Sequence, residues 1–195
     1  MTRRQSPAKT AVRDRLLMTR RRRSAVETNA AARAIAGHLM DLPDVRRAAT
    51  LAAYVSTADE PGTGLLLDHL RAAGKRVILP VLLPDADLDW AVYRGPEDLL
   101  AARFGLLEPV GERLGLGAVA TADVVLVPGL AVDARGNRLG RGGGSYDRAL
   151  GRVPVGTVTC VLLYDDEVGV EVPVEPHDRA VTHVASPSGV VRLRA

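Results

Sequence analysis

Residues 123–150 limit the possible folds more than any other stretch of this chain. Val124–Val127 is a short apolar, β-branched run stopped by Pro128-Gly129, which reads as a buried strand. A turn around Asp133–Asn137 follows, and then four glycines in five positions (Gly140, Gly142, Gly143, Gly144) among Arg138 and Arg141. Ser145 is placed to cap a helix beginning at Tyr146-Asp147-Arg148. Strand, glycine-rich loop and helix start form a setting in which backbone N–H groups converge on an anion. Two arginines beside them add forked donors suited to phosphate oxygens. An ordinary loop, rich in glycine for tight turns alone, is the alternative. The segment is not a Walker loop, because no lysine precedes Ser145, and it does not match the dinucleotide fingerprint either.

At 195 residues and 47% apolar composition, the chain is long enough to bury a sizeable core and is not a disordered one. Aromatics make up only 3%, so that core rests on Leu, Val and Ala. No apolar run reaches the ~18–20 residues of a membrane span, and the opening lacks the apolar stretch of a signal peptide. The lone Cys160 falls in a buried apolar run and reads as an inert core thiol. A cytoplasmic protein, acting as a monomer away from membranes, is the expectation. The net charge of +3 hides an asymmetry: residues 1–23 carry nine basic residues and one acid, leaving the remainder at −5. A basic head suits nucleic acid, but an acidic body with few aromatics argues against that partner.

In chain order, residues 1–7 are expected to be a flexible tail and residues 8–195 a single domain. A helix from Ala8 places Val12, Leu16 and Leu17 on one side, with Lys9 and Arg13 one turn apart on a shared face. Like charges at that spacing cost about 0.2–0.5 kcal/mol unless an anion lies between them. An anionic ligand and a plain exposed face both remain open for the pair. Arg20–Arg23, near the helix end, are assigned to solvent. Ser24 and Glu27 form a capping box for a second helix reaching Met40. Strands are expected at residues 49–55, 76–83 (ended or bulged by Pro80), 88–93, 156–164 and, as the last, 180–185. A helix spans about Thr63–Ala73, and Arg103–Pro109 reads as a loop. Alternating strands and helices imply an α/β fold: a three-layer α/β/α domain with a mostly parallel central sheet and N-terminal helices. Ligands in such folds bind beyond the strand C-termini, so Glu60, Pro128-Gly129 and Tyr164-Asp165-Asp166 should line one edge.

These residues also resemble a known family in chain order. They are Lys9-x-x-x-Arg13, Tyr54-Val-Ser with Asp59-Glu60 and Thr63, Leu79-Pro80, and Phe104-Gly-Leu-Leu-Glu108-Pro109. The centre is Val127-Pro-Gly-Leu-Ala-Val-Asp133-x-x-Gly136-x-Arg138-Leu-Gly140-x-Gly142-x-Gly144-x-Tyr146-Asp147-Arg148. Val172-Pro-Val-Glu175-Pro-His177-Asp178 closes the set. The whole resembles the 5-formyltetrahydrofolate cyclo-ligases, also called methenyltetrahydrofolate synthetases. The resemblance implies an α/β/α sandwich that converts 5-formyltetrahydrofolate to 5,10-methenyltetrahydrofolate with ATP and Mg²⁺. It implies that Lys9 and Arg13 bind ATP phosphates. The main ATP loop would be Arg138, Leu139, Gly140, Arg141, Gly142, Gly143, Gly144, Ser145 and Tyr146. Val55 and Glu60, with Arg141 through Ser145, would meet the folate, and Asp147 and Asp178 would hold Mg²⁺. Two positions depart from the family pattern: Ser145 stands where relatives often have Tyr, and Val132 where they have an aromatic.

That chemistry suits these side chains. The oxygen of an N-formyl group is a poor leaving group until it is phosphorylated, and the transfer is mostly positioning and charge stabilisation. Arg141 is the expected catalytic residue, meeting the charge on the γ-phosphate. Mg²⁺ takes one or two carboxylates plus phosphates, so two aspartates suffice. Asp147 also fits as a plain first-turn acid, and His177 as a residue that shapes its loop.

Overall fold

A computed structural model describes residues 7–194. Of the expected tail at 1–7, residues 1–6 lie outside the described residues, while Pro7 opens helix α1 (Pro7–Arg21) at a position proline suits. Helix α2 (Ala25–Asp41) starts at the predicted capping box: Glu27 N–H donates to Ser24 Oγ, and Glu27 Oε2 accepts from Ser24 N–H. A short α3 (Pro43–Arg47), unanticipated in the sequence, leads into β1 (Thr50–Ala52). Then come α4 (Gly64–Ala72), β2 (Arg76–Leu82) and β3 (Leu88–Val92). The predicted loop near residue 103 is instead a turn between β4 (Leu99–Ala101) and β5 (Leu107–Pro109), a small antiparallel hairpin. Strand β6 (Val124–Pro128) precedes a second hairpin, β7 (Ala131–Val132) and β8 (Arg138–Leu139), which flanks the predicted turn. Helix α5 (Ser145–Leu150), β9 (Val158–Leu162), β10 (His183–Ser186) and β11 (Gly189–Arg192) complete the chain. The strand expected to be last is therefore followed by another, joined by the Ser186–Gly189 turn.

The sheet order is β11-β10-β9-β6-β1-β2-β3. The pairings from β10 to β2 are parallel, and only the two edge pairings are antiparallel. Strand alternation divides the core between two faces. Leu51, Val124, Leu126, Cys160 and Leu162 meet α2 and α4 on one side. Ala52, Val125, Val127 and Val161 meet α5, Trp90 and the 3₁₀ segment Leu116–Thr121 on the other. Cys160 is fully buried, and burial pushes its thiol up to about 12, consistent with an inert core thiol. Trp90 is likewise core.

Pro80 neither ends nor bulges its strand. Residues 77, 79 and 81 of β2 exchange hydrogen bonds with β3, so Pro80 turns its nitrogen towards β1. There β1 has already left the sheet, and no hydrogen-bond donor is needed. The early departure of β1, three residues short of expectation, also opens a crevice between β2 and β6. From β1 the chain order runs to β2 on one side and to β6 on the other, the topological switch point at which such sheets bind ligands.

The assignment of Arg20–Arg23 to solvent holds for Arg21 and Arg22 only. Arg20 is 2% exposed; its guanidinium makes two hydrogen bonds to Glu167, at 2.6 and 2.8 Å, and a third to Gly129 O. Arg23 lies over the Tyr164 ring at 4.0 Å and pairs with Asp166. Tyr164 and Asp166 thus fasten the end of α1, and Asp165 binds Ser186 and Ser188, so this strand end does not line the crevice as expected. Leu16 packs beside them on Leu130, Ala131, Leu139 and Val172. Removing one member of a fully buried ion pair leaves the other uncompensated, at a cost of roughly 3–5 kcal/mol. We therefore expect Glu167→Gln to lower unfolding free energy by about that much in urea titration. A loss below about 1 kcal/mol, the range of exposed pairs, would refute the role of the pair.

The segment just after α5 is tied to the β2–β3 turn by Asp87, which accepts from Arg152 Nη1 at 2.9 Å and from Leu88 N–H at 2.8 Å. Arg152, assisted by Leu88 N–H, holds the Asp87 carboxyl below its ordinary value of 3.8 against the opposing effect of burial. The folded state therefore favours ionised Asp87, which stabilises fully above pH 3.8 and progressively less as pH falls through the lowered value. The stability gap between wild type and Asp87→Asn should be widest at neutral pH and close on acidification, in urea titrations run across pH. A gap independent of pH would exclude this account.

Candidate active site

The crevice widens into a cavity of about 1090 Å³ that draws its walls from distant parts of the chain. The segment after β1 brings Tyr54 and Val55 to it, β2 contributes Pro80 and Leu82, and the β4–β5 hairpin adds Leu106, Leu107 and Glu108. Glu108 Oε1 accepts Leu82 N–H, a β2 donor left without a β1 partner, and so anchors the hairpin to the sheet. This end of the cavity is largely apolar. The opposite end is built from α1, the 138–148 segment and the 175–179 loop, and is densely charged.

Glu60 is held at the apolar end by its own loop. Thr63 Oγ1 donates to Tyr54 O and accepts Ser56 N–H, while Ser56 Oγ accepts Thr63 N–H. That clasp fixes the turn in which Glu60 Oε2 accepts Thr57 N–H. Glu60 is 5% exposed, and Arg141 reaches across to it, Nε to Oε1 at 3.4 Å, with Nη2 donating to Thr57 Oγ1 at 3.0 Å. The glycine loop is thereby bridged to the β1 loop through Arg141. Tyr54 is buried in the same wall; burial, with nearby Glu60, pushes its phenol well above the ordinary range.

Two of the loop glycines are conformational requirements, since Gly142 and Gly144 have φ of 102° and 70°. At Gly140 a Cβ would lie 2.8 Å from Arg138 Nη1, so a side chain there would displace the guanidinium. Gly144, and not the predicted Ser145, is the N-cap residue of α5, and no side chain caps this helix. Ser145 is already its first helical residue, so its hydroxyl is past the capping position. Arg138 runs beneath the loop, with its side chain 3% exposed, and donates to Pro128 O at 3.1 Å and Asp147 Oδ1 at 3.0 Å. It links the end of β6 to the start of α5.

On the facing wall Lys9 is 4% exposed and donates to Asp178 Oδ2 at 2.6 Å and Glu175 Oε2 at 2.8 Å. The chain itself therefore supplies anions to Lys9. Burial alone would lower the Lys9 pKa, but the hydrogen bonds to Asp178 and Glu175 outweigh it and raise it. Arg13 Nε donates to Gly140 O at 2.8 Å, so α1 braces the glycine loop directly. Arg148 meets Ala86 O and Asp87. Among the described residues, Glu175, His177 and Asp178 bring ligand atoms within 4.8 Å of one another.

All the predicted site residues line this one cavity: Lys9, Arg13, Val55, Glu60, Arg138 through Tyr146, Asp147 and Asp178. Sequence reasoning missed Thr57 and Glu175 as partners of Arg141 and Lys9. Glu175 stood inside the closing motif, yet nothing in its spacing shows that it faces a lysine 166 residues away.

The chain is also similar throughout its length to known proteins. Residues 5–187 match the model of the 5-formyltetrahydrofolate cyclo-ligase family. A 5-formyltetrahydrofolate cyclo-ligase of Mycolicibacterium smegmatis is 44% identical over 193 residues, 96% of this chain and 98% of that protein. The cyclo-ligase of Escherichia coli is 34% identical over 163 residues, 80% of this chain and 87% of that protein. The Aquifex aeolicus 5,10-methenyltetrahydrofolate synthetase structure superposes with a TM-score of 0.81 at 28% identity, covering 96% of this chain and 93% of the other. A Mycoplasma pneumoniae 5,10-methenyltetrahydrofolate synthetase, at 18% identity, shares the fold with a TM-score of 0.74, covering 92% and 98% of the two chains. With this motif set gathered around one cavity, the chain belongs to the 5-formyltetrahydrofolate cyclo-ligase family and is an enzyme, a ligase.

Proposed function

We propose that this enzyme converts 5-formyltetrahydrofolate to 5,10-methenyltetrahydrofolate at the expense of ATP, with Mg²⁺ bound at the charged end of the cavity. The observation that carries the reading is the cavity itself. It is larger than the ~300–1000 Å³ of a one-ligand pocket, and its apolar and cationic ends suit two different substrates. The apolar end, with Val55 and Glu60, receives the folate. The cationic end, with Lys9, Arg13 and the glycine loop, receives the nucleotide phosphates.

ATP supplies a phosphoryl group to the formyl oxygen, after which N10 closes the ring, loses its proton and expels phosphate. The protein's part is positioning and charge. Arg141 joins the two ends: it contacts Glu60 and Thr57 and belongs to the glycine loop. Its fork is therefore on hand for the phosphoryl group in transit between the substrates. Glu60, held by Thr57 N–H, presents a fixed acceptor to a folate N–H. Lys9 and Arg13 come with α1, and their partners orient them before any substrate arrives.

The carboxylates fit Mg²⁺. Hydrogen bonds engage Asp147 at Oδ1 and Asp178 at Oδ2, leaving Oδ2 and Oδ1 as hard oxygen donors beside the phosphate end. The ion would neutralise phosphate charge there. A single polypeptide working in the cytoplasm as a monomer, without nucleic acid, completes the proposal; no helix among the described residues is long and apolar enough to cross a membrane.

Mixing the protein with 5-formyltetrahydrofolate, ATP and Mg²⁺ should generate the conjugated methenyl chromophore. A spectrum that stays flat, or rises equally without ATP, would sink the reading. Arg141→Ala should lower turnover by at least ~10²-fold with thermal stability retained, as for other donors aimed at developing charge. A near-normal rate would remove Arg141 from the chemistry. Asp147→Asn keeps an acceptor for Arg138 yet weakens metal binding, so its half-saturating Mg²⁺ concentration should rise several-fold while its melting temperature barely moves. The opposite pattern would make Asp147 a structural acid.

A further inference from the structure

We propose that Arg179 binds the phosphates of the nucleotide and is a specificity-determining residue for that substrate, an inference that rests on the ATP-dependent reading above. Lys9 is paired with Glu175 and Asp178, Arg13 with Gly140 O, Arg138 with Asp147, and Arg141 with Glu60 and Thr57. Arg148 and Arg152 are both directed at Asp87. Each has work inside the protein before a ligand enters. Arg179 is exposed and lines the same cavity, and among the described residues its guanidinium makes no hydrogen bond or ion pair.

Its place in the fold is narrowly set. Arg179 follows Asp178 directly, and its backbone N–H approaches Asp147 Oδ1 at 3.4 Å. The main chain at 179 is therefore held beside the two carboxylates of the phosphate end. The side chain runs towards the end of α5, where Nε lies 3.7 Å from the point at which a side chain at Gly151 would begin. That separation is ordinary van der Waals contact, so the guanidinium lies against the end of α5. An arginine there has no internal partner to give up, so an incoming phosphate gains a forked, charge-assisted contact in full. Lys9, by contrast, would have to share its ammonium with two carboxylates. A second oxyanion, the glutamate carboxylate of the folate, could use the same fork. The position beside Asp147 and Asp178 favours phosphate.

The test compares wild type, Arg179→Ala and Arg179→Lys. Steady-state kinetics give KM separately for ATP and 5-formyltetrahydrofolate, and calorimetry gives the affinity for ATP and for adenosine without folate. For Arg179→Ala we expect KM and Kd for ATP to rise about 10- to 100-fold, the worth of a hydrogen bond to a charged group. Adenosine affinity and the folate KM should stay within about twofold, and Arg179→Lys should recover part of the loss. Because the side chain is exposed, thermal unfolding should be unchanged. Unaltered ATP affinity would overturn the proposal. So would a rise confined to the folate KM, or an equal loss for ATP and adenosine. If the wild-type protein binds ATP but forms no chromophore, the cyclo-ligase reading fails, while the calorimetric comparison still decides the role of Arg179.

Discussion

The buried pair between Arg20 and Glu167 is the contact on which the charged half of the cavity depends. Helix α1 has little apolar surface to offer, since Leu16 is its one buried aliphatic residue and sits in the smallest core cluster. The guanidinium makes up the difference by binding Glu167 and Gly129 O together, joining the helix to the ends of β9 and β6 at once. Glu167 Oε2 in turn accepts Tyr164 N–H at 3.0 Å, so the acid is itself oriented. With the C-terminal end of α1 pinned, Arg13 and Lys9 lie about two and three turns back along the helix and reach the glycine loop and the 175–178 loop.

The same economy shapes the rest of the site. Strand β1 leaves the sheet early, and the gap it opens is the cavity. Two consequences of that gap are then accommodated locally: Pro80 stands where a donor is not needed, and Glu108 satisfies the Leu82 N–H. Most charged residues around the opening are held by fixed partners, which favours electrostatic preorganisation over reorganisation at the moment of reaction. Arg141 bridges the glycine loop to Glu60 and Thr57, whereas the Arg179 guanidinium makes no hydrogen bond or ion pair among the described residues.

Much of this was legible beforehand where the signal was local. The capping box of α2 and the apolar run Val124–Val127 each act over a few residues, and the structure reproduces both. The residues assigned to the site on resemblance meet in one cavity because strand C-termini in a parallel sheet converge at a switch point. Ser145 was misread as a cap because hydroxyl residues favour that position. The left-handed backbone of Gly144 moves the cap one residue earlier. The extra strand β11 and the hairpin at 99–109 escaped notice because short, half-exposed segments carry almost no periodicity.

The sequence by itself determined the layered α/β architecture, the position of the glycine-rich loop after β6 and the family, since periodicity and motif spacing are properties of neighbouring residues. Only the tertiary structure decided which charges face each other. Arg20 meets an acid 147 residues away and Lys9 one 169 residues away. A run of four arginines looks equally solvated along its length until the packed strand ends show that one of them is enclosed. Ion-pair choice is a long-range outcome of burial, because desolvation makes a charge seek whichever partner the fold brings near, and no local pattern encodes that partner.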